Sequence, residues 1–107
     1  GNGRGGPNYA IKDEFHPNLR FEKAGLLAMA NVRDGAGQPM PDSAGSQFFI
    51  TLSPQPKFDD HYSIFGEMIS GTEVIKKFNR VKIGPTDRPI KRIYVQSIEI
   101  VEEKPLP

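Results

Sequence analysis

The chain has 107 residues, enough for one hydrophobic core and too few for two. Its 36% hydrophobic and 25% charged content is ordinary for a globular domain, and a net charge of +1, with basic residues scattered singly or in pairs, offers no electrostatic footprint for nucleic acid or an anionic membrane. Cys is absent, which excludes disulfides and thiolate chemistry, and neither a membrane-length apolar run nor a signal peptide is visible, so a reducing, cytoplasmic setting is expected.

The 11 Gly and 10 Pro predict long loops and tight turns. GNGRGGPN, residues 1–8, reads as the middle of a Gly-rich loop, and YAIKDEF, 9–15, is weakly strand-like. HPNLRFEKAG, 16–25, carries turn residues and one aromatic of buried type, Phe21. LLAMAN, 26–31, has the length and apolarity of a strand. VRDGAGQPMPDSA, 32–44, has no periodicity and predicts a long exposed loop. Gln47 to Ser53 predicts a second strand, followed by a Pro-containing excursion that closes in FDDH, a capped turn. YSIFGEMI, 62–69, alternates as a third strand, with Gly66 marking a bulge or close backbone approach.

Thr72 to Val81 is the one predicted helix, with Thr72 as N-cap and Val74, Ile75 and Phe78 on an apolar face. KIGPTDRP is a loop. RIYVQSIEIV, 92–101, predicts a final strand with a bulge near Gln96 and Ser97. No internal repeat or linker divides the chain, so residues 1–107 are expected to be one mainly β domain.

Reactive constellations are weak. GNGRGG lacks the GK[ST] of a phosphate loop and the preceding strand of a dinucleotide fold, and a structural turn is the better reading. His16 and His61 are far apart, and only His61 has acidic neighbours, Asp59 and Asp60, which falls short of a metal site. DSAGSQ does not have the spacing of a nucleophile elbow. Glu67, Glu73, Glu99, Glu102 and Glu103 read as solvated faces. GSQFFIT, 45–51, is the odd stretch. In a strand Gln47 and Phe49 share one face and Phe48 and Ile50 the other, so Gln47 is either an amide bonded to neighbouring backbone or a functional group.

AGLLAMAN at 24–31, GSQFFIT at 45–51 and YSIFGEMISGTEVI at 62–75 together resemble the cyclophilin family of peptidyl-prolyl cis-trans isomerases, with GNGRGG similar to the Gly-rich loop upstream of them. The resemblance spans essentially the whole chain. It implies a closed eight-stranded antiparallel barrel capped by two helices, with a shallow groove on its outside. Gln47 would bond the substrate backbone, Phe49 would wall the pocket for the proline ring, and Phe48 would face the core. Asn31 would offer its backbone to the peptide, giving Gln47, Phe49 and Asn31 as catalytic positions. Ala30, Val32, Phe58, Tyr62 and Gly3 would complete the substrate-binding surface. Proline-containing peptides and unfolded proteins are the implied partners; no metal and no cofactor are implied.

The sequence departs from the family pattern in three places. The strands, helix and catalytic arginine that precede the Gly-rich loop in the family have no counterpart here, and Arg4, Arg20 and Arg33 match no such position. About one third of the domain is therefore expected to lie outside this chain, supplied by a longer protein or a complementary N-terminal segment. The alternative is a proline-peptide binding module without turnover. The loop 32–44 is longer than usual by roughly seven residues and borders the groove. Lys57 stands where several members carry a ring that contacts cyclosporin, which would weaken that drug. The ending PIKRIYVQSIEIVEE is similar to bacterial members.

Overall fold

In the computed structural model, residues 4–102 are described. Three short strands form one antiparallel sheet in the order β2-β1-β3, with β1 at Leu26–Met29, β2 at Phe48–Ile50 and β3 at Ile64–Glu67. β1 is central because its residues serve both neighbours: Ala28 lies opposite Phe49 on one side and Ile64 on the other. Directly opposed residues share a face. Ala28, Phe49 and Ile64 thus make one apolar surface, against which Phe21, Phe58 and Tyr62 pack. Ala28 and Phe21 are the deepest side chains, at 0% and 1% exposure.

The ladder between β1 and β3 slips between Leu27 and Ala28, since Leu27 faces Gly66 and Ala28 faces Ile64. Phe65 is the extra residue, so the bulge expected at Gly66 falls beside it. Gly25 joins the three strands at one end. Its N–H donates to the Thr51 carbonyl at 2.7 Å and its carbonyl accepts from Met68 N–H at 2.8 Å, in a backbone with φ of +83° that glycine adopts without strain. Thr51 is the buried polar residue of this end. Its hydroxyl accepts from Leu26 N–H and donates to the Lys23 carbonyl, both at 3.0 Å.

Several expectations need correction. Among the described residues Phe48 is not part of the core: it lies opposite Met29, on the face of the sheet away from Phe49, and is 48% exposed. No described element covers that face. Thr72 is not the helix cap but the first residue of α1, Thr72–Phe78; Gly71, with φ of +87°, is the cap, and Asn79 closes the helix three residues early. Within α1 only Ile75 is buried, while Val74 and Phe78 stay half exposed.

Residues 92–101 form no strand, and Ile98 and Ile100 are exposed. The segment 9–15 makes one bridge, between Ile11 and Ala44. Among the described residues the sheet is open, and the closed barrel implied by the resemblance is not formed. No helix among them is long and apolar enough to cross a membrane.

The loop 32–44 is ordered. Arg33 and Pro39 form a bridge, Met40 N–H donates to the Val32 carbonyl, and the Asp34 carboxylate accepts from the N–H groups of Ala36 and Gln38. Its far end is tied to the chain before β1 by a reciprocal pair in which Asp13 N–H donates to the Asp42 carboxylate and Asp42 N–H to that of Asp13. The loop is a small hairpin with its own hydrogen bonds.

Candidate functional site

Four aromatic rings meet on the core side of the sheet. Phe49 arrives from β2, Phe58 from the short 3-10 turn Pro56–Phe58, Tyr62 from the approach to β3, and Phe21 from the segment before β1. Phe21 lies parallel to Phe49, with ring centroids 6.1 Å apart. Four further pairs meet edge to face: Phe21 to Phe58 at 5.6 Å, Phe49 to Phe58 at 5.9 Å, Phe49 to Tyr62 at 5.5 Å, and Phe58 to Tyr62 at 4.8 Å. These are the separations and angles that the ring quadrupole favours. Phe21 is the buried ring of the cluster, and Phe49 and Phe58 are still partly accessible.

The turn that delivers Phe58 and Tyr62 is fixed from outside. The Asp59 carboxylate accepts from Phe21 N–H at 2.7 Å, and His61 N–H donates to the Phe58 carbonyl, closing the FDDH turn as expected. Asp60 pairs with Arg20 at 2.8 Å, a hydrogen bond that raises the arginine pKa further. Tyr62 is 8% exposed, and its hydroxyl accepts from Arg33 of the hairpin at 3.3 Å.

Beside the rings runs the segment Ala30–Val32. Ala30 N–H donates to the Gln47 carbonyl at 2.9 Å, continuing the β1–β2 ladder by one step, and Val32 N–H donates to the Ser43 hydroxyl. Between them, the Asn31 backbone bonds to no described residue, so it is open to an incoming chain. The Asn31 side chain points back instead: its amide N–H donates to the His61 carbonyl at 3.0 Å, and its buried Oδ1 meets no donor among the described residues. A cavity of about 830 Å³ adjoins this segment, lined by Ala30, Asn31, Val32 and Gln47 and also by Arg4 and Tyr9.

The structure thus assembles the sequence-derived positions into two adjoining groups. Phe49, Phe58 and Tyr62 form the ring cluster, while Ala30, Asn31, Val32 and Gln47 share the cavity beside it. Gly3 lies outside the described residues. Two contributors escaped the sequence reading. Phe21 was legible as a buried aromatic but not as the ring that backs Phe49. Arg33 looked like one more charge in an exposed loop, and its reach to Tyr62 depends on how the hairpin folds back. Among the described residues no three His, Cys, Asp or Glu side chains converge as a metal site would require. What the site offers is an apolar aromatic surface next to unoccupied backbone, suited to a peptide with a compact apolar side chain.

Comparison with known proteins identifies the family. The family model described as cyclophilin type peptidyl-prolyl cis-trans isomerase matches residues 1–100. The peptidyl-prolyl cis-trans isomerase-like 1 protein of Aspergillus niger is 43% identical over 106 residues, which cover 96% of this chain and 61% of that protein. The peptidyl-prolyl cis-trans isomerase A of Mycobacterium tuberculosis is 43% identical over 102 residues, covering 94% of this chain and 52% of that protein. The chain therefore spans between about half and three fifths of these relatives. A crystal structure of a Cryptosporidium parvum cyclophilin type isomerase, obtained in the presence of the dipeptide Ala-Pro, superposes with a TM-score of 0.71 at 33% identity, over 82% of this chain and 54% of that one. On the family match and these identities, this chain belongs to the cyclophilin-type peptidyl-prolyl cis-trans isomerase family.

Proposed function

We propose that the protein carrying this chain catalyses rotation about X-Pro peptide bonds during protein folding, with the proline ring seated on Phe49, Phe58 and Tyr62. The observation that carries this reading is the edge-to-face packing of those three rings beside the open Asn31 backbone. The X-Pro bond rotates over a barrier of about 18–20 kcal/mol set by amide resonance. Lowering it calls for no nucleophile or cofactor. The enzyme must hold the ring, fix the flanking backbone and favour the twisted amide over both planar forms. In this scheme Asn31 pairs with the substrate backbone, Ala30 and Val32 flank it, and the Gln47 amide bonds a substrate carbonyl.

The same reading assigns the missing part of the barrel to an N-terminal segment. Its strands would pair with the open sheet and cover the exposed face of Phe48, Ile50 and Phe65. It would also bring the arginine that the resemblance implies. Unfolded proteins in the cytoplasm are the proposed substrates, and cyclosporin would bind weakly because Lys57 replaces a ring.

One observation favours a second reading, a binding module without turnover. Neither Arg20, paired with Asp60, nor Arg33, held by Gly37 and Tyr62, lines the cavity that Asn31 and Gln47 share, so neither replaces that arginine. The test is exchange of a proline peptide followed by NMR, using the protein as its gene encodes it and a Phe49→Ala variant. Faster exchange that the variant loses supports the isomerase. Binding without faster exchange supports the module, and neither binding nor exchange defeats both.

A further inference from the structure

We propose that Arg33, Lys57 and His61 form a subsite for a carboxylate side chain one or two residues from the proline of a bound peptide. The inference rests on the isomerase reading and adds a substrate preference to it. A cavity of about 340 Å³ lies between the hairpin and the turn before β3, lined by Arg33, Gln38, Lys57, Phe58, His61 and Tyr62 among others. It shares Phe58 and Tyr62 with the ring cluster, so it continues the proposed proline site.

The charge in this cavity has one sign. None of its described lining residues is acidic. The nearby carboxylates are engaged elsewhere: Asp34 with the N–H groups of Ala36 and Gln38, Asp59 with Phe21 N–H, and Asp60 with Arg20. Arg33 is also held in place, with Nη1 donating to the Gly37 carbonyl at 3.0 Å and Nη2 to the Tyr62 hydroxyl at 3.3 Å. A guanidinium carries five N–H donors in a planar fork, more than these two bonds use, and the fork matches a carboxylate. The Lys57 ammonium lies 5.6 Å from the Phe58 ring centroid, on the same cavity.

Reach fits as well. The Tyr62 ring centroid is 5.5 Å from that of Phe49, and its hydroxyl leads on to Arg33. An extended peptide advances about 3.3–3.6 Å per residue. Two residues of extended backbone cover about 7 Å, and the length of a glutamate side chain supplies the rest of the path from Phe49 past Tyr62 to Arg33.

The test scans Glu against Gln, one position at a time, over the two residues on each side of a single proline. Exchange is measured by NMR in the protein as its gene encodes it. At one position Glu is expected to exceed Gln in kcat/KM by roughly two- to fivefold, the range of an exposed ion pair. Added salt should shrink the ratio. Arg33→Gln should bring it to about one, and Arg33→Glu should favour Lys over Gln there. A ratio near one at all four positions, or one that survives Arg33→Gln, overturns the subsite while leaving the isomerase reading intact. Binding without exchange leaves the same ratios readable in Kd, and no binding of any peptide overturns both.

Discussion

The Thr51 hydroxyl adds two hydrogen bonds to the backbone ones that lock β2 to the start of β1, and Thr51→Val removes those two at nearly constant volume. The wild-type hydroxyl accepts from Leu26 N–H and donates to the Lys23 carbonyl. Leu26 is buried, so its N–H would lose its partner without gaining water, whereas Lys23 is exposed and its carbonyl rehydrates. A buried donor left unsatisfied costs about 1–3 kcal/mol. With an m value of about 2 kcal/mol/M, a loss near 2 kcal/mol lowers the urea midpoint by about 1 M. Thr51→Ser keeps the hydroxyl and gives up one methyl, about 0.8 kcal/mol. Urea unfolding of both variants beside the parent, followed by circular dichroism, separates the two contributions. If Val lies within about 0.5 kcal/mol of the parent, or Ser costs as much as Val, the hydroxyl is not what holds this end of the sheet.

Gly25→Ala should cost about 1–2 kcal/mol through its left-handed backbone, since the added Cβ would meet the Met68 side chain no closer than an ordinary 3.6 Å; Gly25→Asn should cost less, and equal losses would point to crowding instead. Asp34→Ala should speed amide hydrogen exchange at Ala36 and Gln38 while leaving exchange at Ala28 unchanged, because the lost bonds lie within the hairpin. The Lys23–Glu67 hydrogen bond, at 2.6 Å, lowers the pKa of Glu67 and raises that of Lys23. Its small stabilisation is present above the ordinary glutamate range, is lost as pH falls through the lowered Glu67 value, and is lost again as pH rises through the raised Lys23 value. Carbon-detected NMR titration of Glu67 should show its midpoint rise in Lys23→Met; no rise would mean that the pair is not formed in solution.

The strands that position the site were legible because their signals are local. LLAM and the apolar stretch of 64–67 carry strand patterns in their own residues, and all three strands fall within the predicted spans. The three rings of the site could be named from the resemblance, and the fold then brought them within 6 Å of one another. Residues 92–101 failed for a complementary reason. Ile93, Val95, Ile98 and Ile100 have strand propensity, but a strand exists only where a partner supplies the other half of its ladder.

By itself the sequence determined the family and the central strand, and it named the rings that the fold brings together. It did not determine which sheet face is the core. Alternation says that Phe48 and Phe49 point opposite ways, but either ring could have been the inward one. Packing of Phe21, Phe58 and Tyr62 against Phe49 decided it among the described residues. Nor could a polar loop reveal that Arg33 bonds Tyr62, residues 29 positions apart. That contact depends on where the hairpin lies in space, and spatial proximity between distant residues is set by the fold as a whole.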